Sequence, residues 1–138
     1  FGVVFPEIEG IAAFDEVAAT LDIIERLQPA LVLPGHGSRF SDVATALASA
    51  RRRLDAFVQH PERHARYAAK VLLKYKLLEW QQRPLAQVHA WLAATPYYGL
   101  LHQRYFADQA ERDWHASLVA DLEHAGAALQ QNGMLINQ

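Results

Sequence analysis

The chain has 138 residues, is 51% apolar and carries a formal net charge of −2, enough apolar material for a packed core and too much for intrinsic disorder. It contains no cysteine, which excludes disulfides and thiolate metal sites and fits a cytoplasmic protein. No apolar run approaches the roughly 18–20 residues of a membrane span, and the start lacks the basic-then-apolar pattern of a signal peptide.

Charge is spread unevenly. Residues 1–50 carry seven acids against Arg26 and Arg39, whereas Arg51 to Lys76 carries eight bases against Asp55 and Glu62. From Gly99 onward there are five acids against Arg104 and Arg112. A basic middle between acidic ends could bind phosphates or nucleic acid, but such a pattern is more often a solvated helix pairing with acidic neighbours.

In chain order, residues 1–10 read as extended and then turning, with Pro6 and Gly10 as punctuation. Asp15 is the expected N-cap of a first helix, with Val17, Leu21, Ile24 and Leu27 at helical spacing and Pro29 as its stop. Ala30 to Leu33 reads as a buried strand. Pro34 and Gly35 end it and leave His36 between two glycines at the strand's C-terminal edge, where open α/β layers commonly hold ligands. An imidazole there can bind a metal or move a proton, or simply hydrogen-bond to backbone. Ser38 and Ser41 flank it, but no acid is placed to complete a serine triad.

Ser41 is the expected cap of a helix over Asp42–Gln59, with Arg51, Arg52 and Arg53 on its polar side. A break near His60 and Pro61 divides the chain into residues 1–60 and 61–138. His60 and His64 are four apart, but Pro61 between them disfavours the helical metal pair and suits a turn entering the next helix. That helix runs from Glu62 to about Gln82, is interrupted at Arg83-Pro84, and is followed by a shorter one over Leu85–Ala94. Thr95-Pro96 starts another, with a break near Gly99, and Asp108 is the expected cap of a last helix running to about His124. Gly126 sits where a left-handed helix terminator belongs, and Asn132-Gly133 between short apolar segments is a strong hairpin signal. Trp80, Trp91, Trp114 and the Tyr97-Tyr98 pair could stack bases, but their helical spacing favours core or interface anchors. Lys70, Lys74 and Lys76 are candidates to reach an anionic substrate.

Strand-Pro34-Gly35-His36-Gly37, preceded and followed by amphipathic helices, resembles the C-terminal part of the metallo-β-lactamase superfamily. The opening Phe1-Gly2-Val3-Val4-Phe5-Pro6 is similar to the segment just after that superfamily's metal-bridging aspartate. The resemblance covers residues 1–60. It implies that His36 is a ligand of the second metal ion, usually zinc, in a hydrolase acting on a small-molecule substrate through a metal-bound hydroxide. The superfamily's main signature, His-x-His-x-Asp-His, does not occur in these residues. A catalytic zinc needs about three protein ligands plus an open position. The expectation is therefore a C-terminal fragment, catalytically incomplete alone, whose partner is the missing N-terminal half of its own domain. Three helices and a hairpin in residues 61–138 resemble a winged-helix domain, which some of these hydrolases carry.

The expected fold is thus mainly α (α+β): the terminal α/β piece of an αββα metallo-β-lactamase fold, then a helical winged-helix-like domain ending in a β-hairpin. The helix before the hairpin is acidic, so nucleic acid is an unlikely partner; cleft shaping or homodimer formation suits it better. The alternative reading is a non-enzymatic helical dimerisation or protein-binding module. Apolar faces bared by a missing half-domain would lead to self-association or to a rearranged packing of residues 1–40.

Overall fold

The computed structural model describes residues 2–138; Phe1, of the opening segment, lies outside the described residues. Among them the chain is mainly helical, with seven helices and a three-stranded antiparallel sheet at the C-terminus. It divides into two compact units, Phe1–Pro61 and Glu62–Gln138. No helix among the described residues is long and apolar enough to cross a membrane.

The first unit contains α1 (Phe5–Ile8), α2 (Phe14–Leu27) and α3 (Val43–Gln59). Where an extended opening was expected, Pro6 instead sits in the first turn of α1, the one helical place where its missing N–H costs nothing. Asp15 does not cap α2. The helix begins one residue earlier, behind Ala13, and its open amides are met from a distance: Glu7 Oε2 accepts from Ala13 N–H at 2.6 Å and Phe14 N–H at 3.1 Å. Gln28, in the left-handed region at φ 44°, ends α2 before Pro29. Asp42, rather than Ser41, caps α3 by accepting from Thr45 N–H at 3.2 Å. Leu21, Leu47 and Leu54 form the core between α2 and α3, ringed by Phe14, Val17, Ile24 and Val43.

The expected strand Ala30–Leu33 is not formed. Only an isolated bridge joins Val32 and Phe40, with Val32 N–H donating to Phe40 O at 2.9 Å and Phe40 N–H to Val32 O at 3.2 Å. A strand exists only through its neighbours, and among the described residues of this unit Phe40 is the one bridged to it. The apolar run promised burial on both faces, yet Leu31 is 49% and Leu33 76% exposed.

The second unit is built on α4 (Pro61–Trp80), then β1 (Gln82–Pro84), α5 (Leu85–Ala94), α6 (Pro96–Tyr105), α7 (Glu111–His124), β2 (Ala128–Gln131) and β3 (Met134–Asn137). Helix α6 runs unbroken through Gly99. Asp108 does not cap α7, which starts behind Ala110 without a side-chain cap. The other end of α7 is a Schellman motif: Gly126, at φ 66°, donates to Glu123 O at 2.8 Å and Ala127 to Leu122 O at 2.8 Å. Asn132 and Gly133 both take positive φ, 52° and 75°, as a two-residue type I′ hairpin requires, and Gln131 pairs with Met134. The interruption at Arg83-Pro84 is itself a strand, β1, which adds to the hairpin in the order β1-β3-β2, with Pro84 at an edge where its missing N–H is tolerated. Leu73, Leu77, Val88, Leu92, Tyr98, Leu101, Trp114, Leu118 and Leu135 are fully buried.

Candidate functional site

The loop that carries His36 is set by the Val32–Phe40 bridge, which pins both of its ends. Pro34 enters the loop and Gly37 turns it at φ 90°, a backbone angle that L side chains rarely adopt. His36 is exposed at the tip. A Cβ added at Gly35 would meet open space, so that glycine is not required by close packing. As a donor, a solvent-facing imidazole fits one corner of a zinc site. The other corners are not in this loop: among the described residues no group of three or more His, Asp or Glu side chains could hold a metal ion.

His60 and His64 do not form a helical pair. His60 is the non-helical residue that ends α3, at φ −135°, while His64 lies inside α4 and is buried. Pro61 starts a new helix between them, so their spacing of four does not put them on one face.

The lysines of α4 are engaged within the second unit. Lys74 Nζ donates to Ala127 O at 2.7 Å, Asn137 Oδ1 at 2.5 Å and Gln138 O at 2.8 Å, tying the helix to the ends of the hairpin. Lys70 Nζ lies 3.3 Å from Asp121 Oδ2, which also accepts from Arg66 Nε at 2.8 Å. Burial by itself would raise the Asp121 carboxyl, but the Arg66 and Lys70 charges hold it below the ordinary carboxylate range. Lys76 pairs with Glu79 at 2.8 Å and lies over the Trp80 ring. Arg66 and Lys70 thus share one carboxylate, Lys76 has another, and Lys74 is held by neutral oxygen acceptors of its own unit. Beside it runs an open, mainly apolar groove of about 490 Å³, bordered by Tyr67, Val71, Tyr75, Leu78 and Leu122.

Of the aromatic residues singled out by spacing, Tyr98 and Trp114 lie in the core, and Trp80, Trp91 and Tyr97 are half-buried. Tyr98 is fully buried and donates its hydroxyl to Ala69 O at 3.2 Å; burial pushes that phenol well above its ordinary value. Trp91 meets Trp80 and Tyr98 edge-on at 5.3 and 5.4 Å, and Trp114 stacks on Phe106 at 5.1 Å. The fully buried rings of Tyr98 and Trp114 have no face open to a base.

One cluster escaped the sequence reading. His89 from α5 and Glu111, Arg112 and His115 from α7 line a cavity of about 400 Å³ in the second unit. His115 is 2% exposed. The available signal was the spacing of Glu111 and His115, four apart on one helix and next to the buried Trp114. Comparison with family models, with curated proteins and with solved structures returns no match to this chain.

Proposed function

We propose that this chain is the C-terminal portion of a metal-dependent hydrolase of metallo-β-lactamase type, with a winged-helix-like second unit and a cytoplasmic location. One observation carries the reading: an exposed imidazole, His36, stands at the tip of a loop whose entering segment turns two leucines, Leu31 and Leu33, toward solvent. Alternating apolar residues left bare on one side suit a strand whose covering layer lies outside this chain. His36 would be one ligand of a zinc ion whose remaining ligands come from that outside segment. Bound there, the metal would lower the pKa of a coordinated water toward neutrality for attack on an ester, thioester, amide or phosphodiester.

This chain's own share of the work is to place His36. The Val32–Phe40 bridge fixes the loop ends, Gly37 permits the turn, and Asp42 anchors the start of α3 just beyond. In the second unit, a strand between helices that joins the last strand of a C-terminal hairpin supports the winged-helix reading. The acids of α7, partly committed to Arg66 and Lys70, favour packing or cleft shaping over DNA contact.

The experiment is hydrolysis by the whole protein. Activity abolished by a chelator and restored by zinc is the expected result; chelator-insensitive activity, or an upstream sequence without His-x-His-x-Asp-His, overturns the reading. The second reading, a helical module that dimerises, draws on the exposure of Leu27, Leu31 and Leu33. A whole protein that is dimeric, metal-free and without hydrolytic activity would favour it.

A further inference from the structure

The interior of the second unit holds a titratable group that the proposed hydrolase reading does not use. His115 sits in α7, 2% exposed, with its Nε2 buried and lacking a hydrogen-bond partner. Its surroundings suit a neutral ring. On its own helix Glu111 Oε1 lies 3.9 Å from that nitrogen, itself 46% exposed, and Arg112 borders the same cavity. From α5 comes His89, whose Nδ1 is likewise buried and unpartnered. From α6 come His102, whose Nε2 meets Gln109 O at 2.9 Å, and the edge of Tyr98, 6.2 Å between ring centroids. The Trp114 ring packs at 5.3 Å. A cation placed here would face one screened carboxylate, an arginine and two further imidazoles, with little water to solvate it.

We propose that His115 is an acid-sensitive latch: uptake of a proton from solvent at its Nε2 loosens the packing of α5 and α6 on α7. Burial lowers the basicity of the ring, Glu111 opposes that effect, and His89 and His102 add to it; the net position is below the ordinary histidine range. The sign follows. The unfolded chain binds this proton near the ordinary value of about 6.5 and the folded chain does so only at lower pH, so stability is full above that value and declines below it. The device therefore acts on the acid side of the ordinary histidine value of about 6.5.

All three tryptophans, Trp80, Trp91 and Trp114, lie in the second unit, so their emission reports its unfolding. Thermal midpoints of the whole chain at about pH 7.5 and about pH 5 should differ by several degrees, lower in acid. His115→Phe should remove most of that difference, and Glu111→Gln, which deletes the one counter-charge, should widen it. A wild-type midpoint indifferent to pH, or a difference that survives His115→Phe intact, overturns the proposal. Should His115→Phe fail to fold, NMR titration of the His115 ring in the wild-type chain decides: a midpoint below the ordinary histidine value supports the latch, and one at or above it sinks the idea.

Discussion

Lys74 offers a sharp test, because substrate binding and structural clamping predict different outcomes. Its ammonium donates to Ala127 O, Asn137 Oδ1 and Gln138 O, three acceptors at the two ends of the hairpin. Substitution Lys74→Met keeps the aliphatic stem and removes the donor. Gln138 is exposed, so water replaces that bond at little cost. Ala127 O keeps a second, longer bond from Gln138 N–H at 3.3 Å, so its loss is also partial. Hydrogen bonds to charged groups are worth about 1.5–3 kcal/mol each when buried. With one screened, one partly compensated and Asn137 half-buried, the sum comes to about 2 kcal/mol. For a unit of this size that lowers the melting midpoint by about 8–16 °C. The assay is urea and thermal unfolding followed by tryptophan emission, with Lys70→Met as a control. The control removes an ion pair to Asp121, which still keeps Arg66, and should cost about 1 kcal/mol or less. A Lys74→Met unfolding free energy within about 0.5 kcal/mol of wild type would refute the clamp. It would return Lys74 to the list of groups available for an anionic ligand.

Two further outcomes follow from the second unit. Asp121→Asn should destabilise it by about 1–2 kcal/mol at neutral pH, because Arg66 and Lys70 lose their shared carboxylate. Asp121 is held below the ordinary carboxyl value, so its contribution is present above that value and lost as pH falls through its folded one; the gap between variant and wild type should close in acid. Leu118→Ala, at a fully buried position of α7, should cost about 3 kcal/mol through lost burial and the cavity left behind, read by the same emission.

Much of the helical framework was legible because it rests on local signals. Val17, Leu21 and Ile24 announce α2, Leu47 and Leu54 announce α3, and both sets meet in one core. Asn132-Gly133 announces its turn because few other residues accept two successive positive φ angles. What stayed hidden depends on partners far along the chain. Gln82-Arg83-Pro84 carries no strand pattern of its own and is extended because β3 offers a ladder. Ala30–Leu33 carries a strong strand pattern and lacks a ladder. Glu7 replaces the expected cap of α2 from outside the helix, which no rule of adjacent spacing anticipates.

The candidate sites divide the same way. The His36 loop was visible in its Pro-Gly-His-Gly order, and the structure places that histidine exposed at the loop tip. The partners of the α4 cations were invisible, since Arg66 and Asp121 are 55 residues apart. His115 looked like one isolated histidine among seven until α5 and α6 enclosed it.

The central claim, that His36 is one ligand of a metal centre completed from outside this chain, is tested most directly by metal stoichiometry. The whole protein, with its upstream segment, would be purified as wild type and as His36→Ala, and each would be dialysed against buffered zinc and analysed for bound metal. The account predicts tightly held metal in the wild type and loss or marked weakening of about one equivalent in the variant. It also predicts no change in the unfolding of the exposed His36 position. A whole protein that binds no metal, or a variant that binds as much and as tightly as wild type, would contradict it.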